Sequence, residues 1–172
     1  MNQILLRDIG IKTHRGQKGR VRAGKLAGGN AYGYDVLPGI SVNGKLEHGD
    51  RAVNRIEAEV VRRIFEDYAQ GISAGKIAEA LNLEKIPGPR GGFWGTSTIL
   101  GNRERGTGIL NNELYVGRLV WNRLHYIKDP DTGKRNSRQN SEYRVTSVAV
   151  PHLRLIDDAL WDQVKARQRA MK

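Results

Sequence analysis

The clearest periodicity in the chain runs from residue 54 to residue 71. Ile56, Val60, Ile64 and Tyr68 recur every fourth position, Val61 and Phe65 widen the stripe, and this spacing predicts an amphipathic helix that belongs to the core. Asn54 precedes the run as an N-cap with Glu57 three residues on, as in a capping box, and Gly71 ends it. Ser73 caps a second helix over "AGKIAEALN", where Ile77, Ala78 and Leu81 make a smaller apolar face. Pro87 and Pro89 then break the chain. After Trp94, "GTSTILGN" fits a short third helix with Ile99 and Leu100 inward and Thr96, Ser97, Thr98 and Asn102 outward.

Elsewhere the period is two. "AYGYDVLPGISVNGKLEHGDRAVN" alternates around Pro38-Gly39 and Asn43-Gly44, which are turn formers, and predicts one or two short hairpins. "ELYVGRLVWNRLHYI" alternates like a strand with Tyr115, Leu119, Trp121 and Tyr126 packed; "KDPDTGKRNSRQN" reads as a polar loop and "EYRVTSVAV" as a return strand. The chain closes on an amphipathic helix with Leu160, Trp161 and Val164 on one side and Lys165, Arg167 and Arg169 on the other. It opens on "MNQILLRDIG", which fits the end of a helix. There follows a run in which Lys12, Arg15, Lys18, Arg20, Arg22 and Lys25 interleave with glycines, with almost nothing apolar to anchor it. The pattern therefore predicts an α+β, mostly helical fold: a helix-turn-helix-like core with short β-hairpins and a basic extended N-terminal arm. Residues 1–30 would be the helix tail and arm, and residues 31–172 the folded domain.

Charge changes this picture more than composition does. With 29 Lys and Arg against 18 Asp and Glu, the formal net charge is +11 and the pI about 10.2, so the natural partner is a polyanion, nucleic acid before a membrane surface. At 172 residues and 38% hydrophobic content a modest core is possible. There is no cysteine, and His14, His48, His125 and His152 are scattered, so no disulfide, metal or other cofactor is expected. No run approaches the ~20 apolar residues of a membrane span and no signal peptide is visible, which predicts a soluble, intracellular chain without a membrane partner.

Several motifs have two readings. "GRVRAGKL" nearly matches a phosphate-binding loop, but Leu26 stands where the magnesium-holding hydroxyl is required, and no strand precedes it; a nucleotide or other small-molecule substrate is not expected. The same stretch reads either as glycines and arginines entering a narrow groove or as a solvated basic linker. Trp94 is expected to anchor its loop to the core. Arg103, Arg105, Arg118 and Arg123 make either a solubilising face or phosphate contacts. The short helix before them displays hydroxyls and an amide, the neutral groups that reach base edges and phosphates in a major groove. The carboxylates fit helix surfaces and an N-terminus, and no catalytic triad can be drawn from spacing.

"GRVRAGKLAGGNAYGYDV", "EAEVVRRIFEDYAQGISAGKIAEALN", "IPGPRGGFW", "GTGILNNELYVGRLVWNR" and "PHLRLIDDALWDQVKARQ", in this order, resemble the recombinase domain of the large serine recombinases, relatives of the resolvases and invertases. The resemblance covers nearly the whole chain. It implies sequence-specific binding of double-stranded DNA, with cleavage and rejoining left to a catalytic serine domain that precedes this region in the family. The chain would then be a DNA-binding piece, monomeric by itself and part of an oligomer on DNA in its parent, in the cytoplasm of a bacterium or carried by a phage or mobile element. By position, the resemblance places residues 15–29 along the minor groove, with Arg15, Lys18, Arg20, Arg22 and Lys25 as contacts. It places Thr96, Ser97, Thr98, Asn102, Arg103 and Arg105 at the adjoining major groove, and Arg90, Lys134 and Arg135 on phosphates. The link between second and third helices is longer than a standard helix-turn-helix turn allows. Two rivals remain: a stand-alone helix-turn-helix regulator and a basic RNA-binding protein.

Overall fold

The computed structural model describes residues 3–171; the first two residues of the opening segment lie outside it. The basic stretch departs from the expected extended arm. Helix α1 (Gln3–Arg22) runs unbroken through it, and the extended part is confined to residues 25–31. Tertiary packing overrides the poor helix propensity of its glycines. α1 lies against two strands described below, Val21 is fully buried, and the His14 ring meets that of Trp121 at 4.8 Å.

The next four strands are short: β1 (Tyr34–Val36), β2 (Ile40–Val42), β3 (Lys45–Glu47) and β4 (Arg51–Val53). They form two antiparallel pairs, β1 with β4 and β2 with β3. Helix α2 (Arg55–Ala69) starts as the caps predict, with Asn54 accepting the Glu57 amide at 3.1 Å. The capping box is opened, however. The Glu57 carboxylate accepts the Gly33 amide at 2.7 Å, and Asn54 N–H donates to the Gly33 carbonyl. Ile56, expected in the core, is 81% exposed; it sits in the first turn, ahead of the stripe that Val60, Val61, Ile64, Phe65 and Tyr68 bury. Helix α3 (Ala74–Leu83) follows a tight turn, capped by Ser73. Helix α4 (Thr96–Leu100) comes only after residues 84–95; it buries Ile99 and leaves Leu100, expected inward, at the surface because five residues give one inward position.

β5 (Arg118–Trp121) pairs with β8 (Thr146–Ala149), the expected return strand. Between them β6 (Leu124–Lys128) and β7 (Arg135–Gln139) form a separate two-stranded ribbon. Residues 135–139, expected as loop, are strand, and Tyr126, expected to pack, is exposed, because the ribbon is covered only at its base, around Leu124 and His125. Helix α5 (Asp158–Ala170) is capped by Asp157.

α2 packs against α3 and α5, α4 against α3, and α1 against β5 and β8. One core joins them, from Val21 and Leu26 to Val164. At its centre Tyr34 stacks on Tyr115 at 6.0 Å and Phe65 meets Tyr115 and Trp161 at 6.1 and 5.9 Å; each fully buried large side chain contributes ~1.5–3 kcal/mol. The Tyr34 hydroxyl donates to the Leu153 carbonyl at 2.7 Å, tying the first sheet to the C-terminal segment, and burial raises its pKa so that it stays protonated. Arg167, expected on a free basic face of α5, instead lies 4.3 Å from the Tyr68 ring centre and donates to the carbonyls of Tyr68, Gly71 and Ile72, closing the end of α2.

Candidate nucleic-acid interface

α4 is short because Gly101 ends it at φ 54°, ψ −146°, where a Cβ would stand 1.8 Å from the Thr107 carbonyl oxygen. The chain then closes a turn on itself. Asn102 N–H donates to the Thr107 carbonyl at 3.1 Å, and the Asn102 side-chain oxygen accepts the Arg105 amide at 2.9 Å. Arg103, Glu104 and Arg105 are left on the tip, all exposed.

A buried polar chain holds this turn to α5. Asn111, 3% exposed, donates to the carbonyls of Leu100 and Thr107 at 2.8 and 2.7 Å. Its own oxygen accepts from Lys165 Nζ at 2.8 Å, which also donates to the Leu110 carbonyl and Gln168 Oε1. Burial lowers the Lys165 pKa to about 8; Glu113 opposes the shift, and Arg103, Arg123 and Arg169 add to it. The expectation of a solvated Lys165 is therefore replaced by a half-buried strut. Arg103 also leans on α5, donating to the Gln168 carbonyl.

The loop before α4 is fastened by Asn82. Its amide bridges both backbone groups of Trp94, accepting the N–H at 2.8 Å and donating to the carbonyl at 2.9 Å. The indole N–H donates to the Ile86 carbonyl at 3.1 Å, and Tyr32 meets the indole edge-on at 5.0 Å. Trp94 is buried, as expected of an anchor. Arg90 is exposed at φ 62°, in the left-handed region.

On α1, Lys12, Arg15, Lys18 and Arg22 follow helical spacing and share a stripe, while His14, Gln17 and Val21 fall on the packed side. Arg20 falls on the opposite edge, beside Gly49. Lys25 is drawn into ion pairs with Glu47 at 2.7 Å and Asp50 at 3.1 Å. Two more candidates for phosphate contact, Arg118 and Arg123, are also ion-paired, both with Glu113.

Between α1 with its linker and the sheet side lies a cleft of about 610 Å³, bordered by His14, Gly28, Arg105, Arg118, Arg123 and Tyr126. Glu113 is its acid and pairs with both Arg118 and Arg123, so the rim stays cationic. The ribbon rises beside it, tied to the α4 turn by Gln139, which donates to the Glu104 carbonyl at 2.8 Å. Lys128 faces Arg135 across the ribbon and Lys134 is exposed in the connecting loop. Like charges directly opposite disfavour a ladder, so this end of the ribbon suits an external anion.

The structure thus brings Arg105 and the linker around one cleft, which α1 borders with His14 and Gln17 rather than with its cationic stripe; Thr96, Ser97 and Asn102 are exposed on α4 and its turn, and Thr98 is half-buried. Arg90 lies on the loop before α4, and Lys134 and Arg135 on the ribbon's far end. Sequence reading missed Asn82, Asn111 and Lys165. The positions of Trp161, Lys165 and Gln168, three or four apart on α5, were the available signal for the last.

This is a basic, mixed helix and sheet domain in which the turn that follows a short polar helix borders a cationic cleft. The chain belongs to the Recombinase family, whose model matches residues 55–170. No curated protein matches it. Among solved structures it is similar to a protein described as an LSR in complex with DNA, with a TM-score of 0.54 and 18% identity. That likeness covers 93% of this chain and 38% of the other, so the chain spans well under half the length of its structural neighbour.

Proposed function

We propose that the chain is the sequence-specific, double-stranded-DNA-binding domain of a site-specific serine recombinase. In this reading, cleavage and rejoining of strands, in integration, excision or inversion, belong to another part of the parent protein. The carrying observation is the cationic cleft between α1 with its linker and the α4 turn, together with the exposed hydroxyls of Thr96 and Ser97 on α4 and the exposed Asn102 of its turn. The family membership and the DNA in the structural neighbour support it.

The extended, glycine-containing linker follows the minor groove, and Arg15, Lys18 and Arg22 on α1, a helix too wide to enter it, meet the phosphates at its edge. Thr96, Ser97 and Asn102 face base edges of the major groove, with Thr98 at their margin. Arg90, Arg105, Lys134 and Arg135 neutralise phosphates. Arg103 joins them with the part of its fork not engaged by Gln168. Arg20 and Lys25 contribute field rather than contacts, since one faces the β3–β4 turn and the other is ion-paired.

The test is the salt dependence of duplex affinity for the wild type and Arg105→Ala. Losing one phosphate contact lowers the slope of log K against log salt by about 0.9. An unchanged slope would remove Arg105 from the interface.

A further inference from the structure

Phe93 is 90% exposed, more than any other large apolar side chain among the described residues. Exposure of a single apolar side chain is ordinary, but the backbone under this one is held unusually firmly. Gly88 N–H donates to the Gly92 carbonyl at 2.7 Å and Gly91 N–H to the Gly88 carbonyl at 2.9 Å. A Cβ on Gly88 would stand 2.8 Å from the Gly92 oxygen, so the loop closes too tightly for another residue there. Arg90 and Gly91 take consecutive left-handed conformations, at φ 62° and 74°. On the other side Trp94 is clamped by Asn82, and the Tyr32 hydroxyl donates to the Pro87 carbonyl at 3.1 Å, joining the loop to the linker.

A rigid loop that holds an aromatic ring in water gains nothing in stability from that ring. It does remove the ordering cost of a later contact, which is how anchor residues of interfaces work. The neighbours indicate which partner. Exposed Arg90 lies three residues before Phe93, and exposed Thr96 and Ser97 three and four residues after it, on a chain of formal charge +11. A cation, an aromatic and hydroxyls in one short segment match a duplex groove. The apolar group that the major groove displays is the thymine 5-methyl.

We propose that Phe93 packs against the 5-methyl group of one thymine, selecting T at a position beside those that α4 reads. This rests on the DNA-binding reading above. The test uses a duplex selected by the wild-type chain, with each dT replaced singly by deoxyuridine, against wild type and Phe93→Ala. Because the side chain is exposed, the variant should melt like the wild type.

For the wild type, one dT-to-dU change should weaken binding about fourfold, the value of one buried methyl group. Phe93→Ala should weaken binding to the thymine duplex at least as much and bind both duplexes equally at that position. Wild-type selection of a site, with Phe93→Ala binding it as tightly and keeping every deoxyuridine effect, would overturn the thymine contact and leave DNA reading intact. Failure of the wild type to select any duplex would overturn the DNA-binding reading itself.

Discussion

Asn82 offers the sharpest test of how the α4 region is built. Truncation in Asn82→Ala removes two hydrogen bonds, to the N–H and carbonyl of Trp94, a residue 3% exposed. A buried backbone group left without a partner costs ~1–3 kcal/mol. The surface recess lined by Gly75, Ala78, Asn82 and Trp94 admits water beside the truncated side chain, which favours the lower part of that range. The expected loss is about 2–3 kcal/mol. In a domain of this size that lowers Tm by roughly 4–12 °C. Asn82→Asp supplies the control. Its carboxylate still accepts the Trp94 N–H but turns an oxygen toward the Trp94 carbonyl, so the variant is destabilised at neutral pH. It recovers as acid protonates the carboxyl and restores a donor: the folded pKa is raised, so stability is lost as pH rises through it. Urea denaturation followed by circular dichroism reads both. Asn82→Ala within about 0.5 kcal/mol of the wild type, or an Asn82→Asp deficit independent of pH, would refute the clamp.

Two further substitutions probe the same architecture. Gly101→Ala should cost at least about 3 kcal/mol, because it adds a Cβ 1.8 Å from the Thr107 oxygen in a backbone region that favours glycine; a Tm near the wild type would contradict the closed turn. Lys165, with its pKa lowered to about 8 against an ordinary 10.5, should make the wild type gain on Lys165→Met between those pH values. Across that window the unfolded chain keeps a proton the folded one has lost, so stability rises with pH. A stability gap in urea that stays constant or shrinks would contradict the buried strut.

What was legible in the sequence was local. Asn54 and Ser73 cap helices through bonds to residues three positions on, signals set within one turn of the chain. The stripe of α2 was readable from Val60 to Tyr68, and failed only at Ile56, one turn too early for the core to reach it. The family resemblance was legible because motifs spread over the chain kept their order, and the family model confirms it over residues 55–170.

What was not legible depends on distant partners. The helix in the Gly and Arg run is held by β5 and β8, more than ninety residues away in sequence, and its anchors are His14, Gln17 and Val21 rather than a hydrophobic repeat. β7 has the sequence RNSRQ, without apolar alternation, and most of it is exposed, because the ribbon is covered only at its base. Lys165 and Arg167 looked like a solvated face since charge alone gives no direction; their acceptors are carbonyls of Leu110, Tyr68, Gly71 and Ile72, brought close only by folding. The candidate interface divides in the same way. Residues of the α4 turn were found from their chemistry, whereas the cleft that joins them to α1 exists only in three dimensions.

The most direct test of the central claim is selection of the 172-residue chain on a random duplex pool at physiological salt, with a structured RNA pool in parallel. The account predicts a duplex consensus in which an A·T-rich flank, entered by the linker after α1, adjoins a defined block read in the major groove by α4. Salt-sensitive binding without any consensus, or preferential capture of RNA, would contradict it.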